Sequence, residues 1–117
     1  MITLKRGMVI DVNLDPTMGS ETGKTRPCVV VTNDIYNARV PIIQVVPLTA
    51  WNEKKARIAT NVEIAPTPEN GLDKLSLADC LQTRPVDYNA RLVRTRGRVS
   101  LDALRQIDRA LRVVFSL

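Results

Sequence analysis

Residues Leu14 to Asp34 read LDPTMGSETGKTRPCVVVTND. The first half is a polar loop, punctuated by Gly19 and Gly23 and closed by Pro27. From Cys28 to Val31 the chain becomes a continuous apolar, largely β-branched run, the pattern expected at the centre of a sheet. The loop is too long for a tight hairpin turn, and its glycines let it fold back sharply. Charged groups hung on such a loop and braced by a rigid strand commonly present a site, and here they are Glu21, Lys24 and Arg26.

Upstream of this stretch, Met8, Ile10, Val12 and Leu14 alternate with Val9, Asp11 and Asn13, which predicts a half-buried strand. Downstream, Asn33 to Val40 is turn-like and predicts a single helical turn capped by Asn33 or Asp34. Ile42 to Leu48 predicts a second central strand, with Pro47 placed where no ladder hydrogen bond is needed and Thr49 at its end. A loop from Trp51 to Ala56 leads into an amphipathic strand from Ile58 to Ile64, and Ala65 to Asp73 is a proline- and glycine-bearing surface loop. Leu75 to Thr83 alternates as another strand, broken by Arg84-Pro85, and a basic strand runs from Ala90 to Val99.

The last segment changes period. Leu101, Leu104, Ile107, Leu111, Val114 and Phe115 recur at helical spacing behind Ser100, a good N-cap. That stripe predicts a core-facing helix, with Asp102–Arg105 and Asp108–Arg112 as ion pairs on its outer face. Several short strands followed by one helix predict a mainly β, barrel-like sheet closed by a carboxy-terminal helix, in one domain spanning residues 1–117.

Composition narrows the chemistry. The chain has 117 residues, a formal charge of +5, no histidine and two cysteines, so neither a Cys/His zinc site nor a histidine-based triad can be assembled from it. Cys28 and Cys80 sit in apolar stretches and read as small buried hydrophobes. With no apolar run of transmembrane length and no signal-peptide pattern, a cytoplasmic location is expected. The basic balance favours an acidic partner such as nucleic acid, although it is equally the charge of a solvated surface.

If that partner is RNA, cleavage without a metal ion uses the ribose 2′-hydroxyl as nucleophile. The protein must then help remove that proton, stabilise charge on the phosphoryl oxygens and assist the departing 5′-oxygen. Without histidine, the groups near the loop that suit these tasks are Arg26, Glu21 and Thr49. A guanidinium forks onto phosphate oxygens and stays charged, and a threonine hydroxyl donates to the same oxygens. Taken alone, Arg26 reads as readily as a surface arginine, and Thr49 as a strand-end hydroxyl bonded to local backbone.

The motifs add up in order. KRG at Lys5 to Gly7, DPTMGSE at Asp15 to Glu21, RPCVVVTND at Arg26 to Asp34, VVPLT at Val45 to Thr49 and QTR at Gln82 to Arg84 precede Arg91 and the closing helix. Together they resemble the MazF/PemK family of toxin endoribonucleases, the mRNA interferases of type II toxin–antitoxin systems. The resemblance implies a homodimer of SH3-like (CcdB/PemK-type) barrels, each of about five to seven strands with a C-terminal α-helix. It also implies sequence-selective, metal- and ribosome-independent cleavage of single-stranded RNA, no cofactor, and a small cognate antitoxin covering the RNA groove.

The resemblance makes Arg26 and Thr49 the catalytic pair and aligns the family's glutamate with Glu21, which would orient Arg26 or take the 2′-hydroxyl proton. It assigns RNA contacts to Ser20, Asn33, Gln82 and Arg84. Lys24, Arg84, Arg91, Arg94 and Arg96 are candidates for phosphate or antitoxin contacts, or plain solvated charges. The chain departs from the pattern at Met8, where an acidic residue is usual, and at Trp51 and Pro85. Trp51 reads either as a base-stacking platform or as a packing residue. The alternatives of another class are a β-barrel poison of a protein target such as DNA gyrase, and an RNA-binding module without catalysis.

Overall fold

The computed structural model describes residues 3–117. Seven strands form the sheet: β1 (Met8–Asn13), β2 (Thr25–Val30), β3 (Ile42–Ala50), β4 (Asn61–Ile64), β5 (Ser76–Asp79), β6 (Arg84–Asp87) and β7 (Leu92–Arg98). They run in the order β4-β5-β3-β2-β1-β7, with β6 also paired to β3. Three single-turn helices lie between strands: α1 (Asp34–Asn37), α2 (Glu53–Ala56) and α3 (Tyr88–Arg91). The long helix α4 (Leu101–Phe115) closes the chain. The mainly β fold with a C-terminal helix agrees with the sequence expectation.

Side-chain alternation along the central strands builds two cores at once. Val9 of β1, Val29 of β2, and Val46 and Leu48 of β3 point into a core shared with Ile107 and Ala110 of α4. Their neighbours Ile10, Val12, Cys28, Val30, Ile43 and Val45 point into a second core with Leu4, Leu14 and Val86. The β-branched run of β2 is therefore covered on both faces, as its composition predicted. Strand β1 is covered on both faces too, because Val9 and Asp11 are buried as well as Ile10 and Val12. The half-buried reading of β1 is thus corrected.

Strand β3 carries the architecture. It pairs with β2 along one edge, from Val45↔Val30 to Pro47↔Cys28. Along its other edge it pairs first with β6, from Ile42↔Asp87 to Val45↔Arg84, and then with β5, from Leu48↔Ala78 to Ala50↔Ser76. Pro47 falls in the gap between those two partners, where an absent N–H costs no ladder bond.

Several expected boundaries shift. Arg84-Pro85 does not end strand structure but begins β6, with Pro85 opposite Gln44. The stretch from Ile58 to Thr60 is turn rather than strand, because α2, capped by the Asn52 side chain, takes up the chain just before it. Within 75–83 the strand stops at Asp79 and a 3₁₀ turn follows, which leaves Leu81 exposed and Cys80 buried. The strand expected from Ala90 begins at Leu92, after α3.

Ser100 caps α4 as expected, its side chain accepting from the Ala103 amide at 3.1 Å. The apolar stripe is narrower than its spacing implied: Leu101 and Phe115 are exposed, while Ala103, Leu104, Ile107, Ala110, Leu111 and Val114 face the core. Neither expected ion pair forms. Asp108 instead bonds Arg6, tying the helix to the amino end, and Asp102 accepts from Gln106 at 2.9 Å. Helical spacing permits such pairs but does not outbid a tertiary partner.

Candidate active site

Strands β2 and β3 stop pairing at Cys28↔Pro47. Two residues further along the same antiparallel register, Arg26 would face Thr49. Instead β2 continues paired only with β1 on its other edge, where Arg26 pairs with Val12, and β3 continues on β5, where Thr49 pairs with Leu77. The strands part, and a cleft of about 370 Å³ opens between them. It is lined by Arg26 and Thr49, with Lys24, Asp73, Lys74 and Arg96 supplying its remaining charges.

Arg26 is half-buried, and its Nε donates to the Gly23 carbonyl at 2.8 Å, which fixes the plane of the guanidinium. It makes no ion pair among the described residues, so its terminal N–H groups remain for a ligand. Thr49 is likewise half-buried at the end of β3. One planar cation and one hydroxyl, held by two separate strands, are what an anionic group with several oxygens requires.

The far wall rests on a buried carboxylate. Asp11 of β1 accepts from Arg96 Nε at 2.6 Å and from Arg94 Nε at 2.7 Å, both on β7. Burial opposes ionisation of Asp11, but the two arginine hydrogen bonds outweigh it and hold its carboxyl below the ordinary value. The bond to Asp11 in turn raises Arg96 above the usual guanidinium value, against the cost of its own burial. Arg96 Nη1 also donates to the Gly71 carbonyl at 3.0 Å and to Asp73 Oδ2 at 3.1 Å. Arg94 and Arg96 are therefore structural clamps, Arg94 still exposed and Arg96 largely buried.

Glu21 lies elsewhere. Its Oε1 accepts from the Met18 amide at 2.8 Å, and it borders a second cleft of about 360 Å³ with Gln82, Thr83, Arg84 and Pro85. Gln82 spans the loop, accepting from the Thr22 amide and donating to the Ser20 carbonyl, both at 3.3 Å. Arg84 donates to the Leu14 carbonyl at 3.0 Å, and Arg91 to those of Asn13 and Asp15 at 2.9 and 2.6 Å. These side chains lash the 14–24 loop to β6 and α3. Ser20 is exposed on that loop.

Asn33 belongs to neither cleft; its Oδ1 caps α1 by accepting from the Ile35 amide at 2.8 Å. The structure thus brings Arg26 and Thr49 into one cleft, groups Glu21, Gln82 and Arg84 at another, and leaves Asn33 apart. Sequence reasoning missed Asp73 and Lys74. Their loop read only as connecting surface, and the available signal was Gly71 beside a charged pair.

Cys28 and Cys80 are buried free thiols, as expected. Burial pushes each up to about 12, with the nearby Asp11 adding to the effect on Cys28 and Asp79 to that on Cys80. Neither is a nucleophile near neutral pH. No helix among the described residues is long and apolar enough to cross a membrane.

Comparison with known proteins places this geometry. Residues 5–115 match the family described as PemK-like, MazF-like toxin of type II toxin-antitoxin system. The chain is 35% identical to Endoribonuclease MazF9 of Mycobacterium tuberculosis over 119 aligned residues, covering 97% of this chain and 98% of that protein. Its fold superposes on MazF from Deinococcus radiodurans with a TM-score of 0.84 over the whole of both chains, at 20% identity. An endoribonuclease in complex with its cognate antitoxin, from a mycobacterial species, gives a TM-score of 0.75 at 20% identity, covering 96% of this chain and 94% of that one.

Proposed function

Because the chain belongs to the PemK-like, MazF-like toxin family of type II toxin–antitoxin systems, we propose that it is an endoribonuclease cleaving single-stranded RNA at short sequences. The observation that carries this reading is the parting of β2 from β3, which leaves Arg26 and Thr49 on opposite sides of one basic cleft. In the reaction, the ribose 2′-oxygen attacks the adjacent phosphorus while the bond to the 5′-oxygen breaks. Arg26 stabilises the charge gathering on the phosphoryl oxygens, with Thr49 donating to the same oxygens. A guanidinium gives up a proton near neutral pH only at great cost, so Arg26 is charge stabiliser and partner of the leaving oxygen rather than base. This chemistry requires neither a metal ion nor the ribosome, and the substrate's own hydroxyl replaces a protein nucleophile.

The second cleft extends the RNA path. Gln82, bonded to the Ser20 carbonyl, and Arg84 set the shape of the 14–24 loop and border the groove where bases would lie, with Ser20 exposed on the loop and Glu21 stiffening it through the Met18 amide. The match over residues 5–115 supports a single toxin domain spanning the chain. Exposed Ile35, Tyr36, Val40 and Ile42, clustered around α1 and the start of β3, offer an apolar surface suited to a homodimer. A small acidic antitoxin would fit the cleft's excess of cations, and the cytoplasm is where both RNA and antitoxin would be met.

The test is direct. Purified protein is incubated with a long RNA in the presence of EDTA, beside Arg26→Ala, and the fragment ends are mapped. Cleavage at recurring short sequences that Arg26→Ala abolishes is expected. Intact RNA overturns the nuclease reading, and equal cutting by Arg26→Ala overturns the site.

A further inference from the structure

We infer that Asp73 is the proton acceptor of this site, taking the 2′-hydroxyl proton as the 2′-oxygen attacks phosphorus; the inference rests on the nuclease reading above. Of the residues lining the cleft that holds Arg26 and Thr49, Asp73 is the sole carboxylate. Glu21, the carboxylate that the motif order points to, borders the other cleft and already accepts from the Met18 amide.

Asp73 is also held as a reacting group must be held. Its loop turns at 68–70 and packs directly on β7. The Arg98 amide donates to the Glu69 carbonyl at 2.8 Å. Gly71, with φ at +66°, lies so close to β7 that an added Cβ would sit 2.6 Å from the Arg96 carbonyl oxygen. The Arg96 guanidinium then reaches from buried Asp11 to Asp73 Oδ2, leaving Oδ1 uncommitted among the described residues. Arg96 is thus a positioning residue, and Asp11 fixes Arg96 in turn.

The charges facing Asp73 are Arg96 from β7, Lys74 beside it, and Lys24 and Arg26 across the cleft. All are cations, and none is a second carboxylate that would compete for the 2′-hydroxyl proton. The O2′–P bond forms and the P–O5′ bond breaks; the 2′-hydroxyl proton passes to Asp73, and the 5′-oxygen, hydrogen-bonded by Arg26, gains one from water. The products are a 2′,3′-cyclic phosphate and a 5′-hydroxyl. The Asp73 side chain is 81% exposed, so the captured proton escapes to water between turnovers.

The experiment compares wild type, Asp73→Asn, Asp73→Glu and Glu21→Gln on one mapped RNA across about pH 3 to 8, a window that spans the ordinary carboxylate range, with EDTA present. Each variant is first checked for a cooperative melt and for binding an oligonucleotide carrying 2′-deoxyribose at the cut. Asp73→Asn should bind and fold normally, cleave roughly a hundred- to a thousandfold more slowly, and lose the rise of rate with pH. Asp73→Glu should recover part of the rate together with that rise. Wild type that cuts while Asp73→Asn cuts equally well, or more slowly with the pH rise intact, overturns the inference and leaves the nuclease reading standing. Loss of the pH rise in Glu21→Gln but not in Asp73→Asn overturns it in favour of Glu21. Wild type inert on every RNA overturns the nuclease reading and this inference together.

Discussion

Arg26 reaches back three residues and donates through Nε to the Gly23 carbonyl at 2.8 Å. That bond uses the one guanidinium N–H that points along the chain and turns the forked end toward the cleft. Lysine has no counterpart to Nε and offers a point charge rather than a planar fork. Arg26→Lys should therefore fold normally, with stability within about 0.5 kcal/mol of wild type, since the side chain is only half-buried. Its cleavage rate should fall by roughly a hundredfold, most of the loss appearing in kcat. A thermal melt beside a kinetic assay on a mapped RNA checks both.

Asp11 gives the fold an acid-sensitive joint. Its folded carboxyl lies below the ordinary value because the bonds from Arg96 and Arg94 overcome the cost of burial. The sign follows from that depression. The contribution is complete above the unfolded-state value of about 4 and is lost as pH falls through the lower folded value. Asp11→Asn should destabilise by about 2 kcal/mol near pH 7, leaving two guanidinium groups without their buried counter-charge. The gap between variant and wild type should narrow as pH falls below the ordinary carboxylate range and through the depressed folded value, where both come to carry a neutral side chain. Urea denaturation of the two proteins from pH 2 to pH 7 measures it.

The contact between the 69–71 loop and β7 leaves no room for a Cβ. One added at Gly97 would fall inside the Glu69 carbonyl oxygen, and one at Gly71 would meet the Arg96 backbone while φ stays positive. Gly97→Ala and Gly71→Ala should each cost more than about 2 kcal/mol and move the loop that carries Asp73. Gly19 is the control. It also has positive φ, but a Cβ added there would meet nothing within 4 Å, so Gly19→Ala should cost only about 1 kcal/mol. Melting temperatures of the three variants separate steric from conformational cost.

What the sequence made legible was local. Cys28–Val31 read as a central strand, and Cys28–Val30 is covered on both faces; Ser100 ahead of a helical stripe read as an N-cap, and it caps α4. Pro85 misled because proline is compatible with a strand whose other edge is unpaired. Arg26 and Thr49 were legible as motif residues, but their meeting depends on where β2 and β3 part, a property of the whole sheet. Asp73 was hidden for the same reason. Its partner Arg96 lies 23 residues on, and no periodicity marks a bond between a loop and an edge strand.

The two thiols should be inert in the folded protein. Burial holds Cys28 and Cys80 up to about 12, so neither supplies thiolate at pH 8, and no path leads a reagent to them. Ellman's reagent at pH 8 should label neither in buffer and both in guanidinium chloride. Rapid labelling of either thiol in buffer would mean that the sheet opens locally around it.

Trp51 offers the last test, because it is the sole tryptophan and directly follows Ala50, which lines the cleft. The sequence left it open whether this ring stacks on a base or packs. In the structure its amide donates to the Leu75 carbonyl at 3.1 Å, which fixes the backbone, while 39% of the residue remains exposed. A partly exposed aromatic residue, next in sequence to a cleft-lining residue and with its backbone fixed, is available to stack on an unpaired base. An oligonucleotide with 2′-deoxyribose at the cut should quench its fluorescence. Trp51→Ala should weaken binding by about 1–3 kcal/mol while leaving the rate at saturation unchanged, and Trp51→Phe should retain most of the affinity. A rise in KM without a fall in kcat identifies stacking. An unchanged KM with a lowered melting temperature assigns the ring to packing instead.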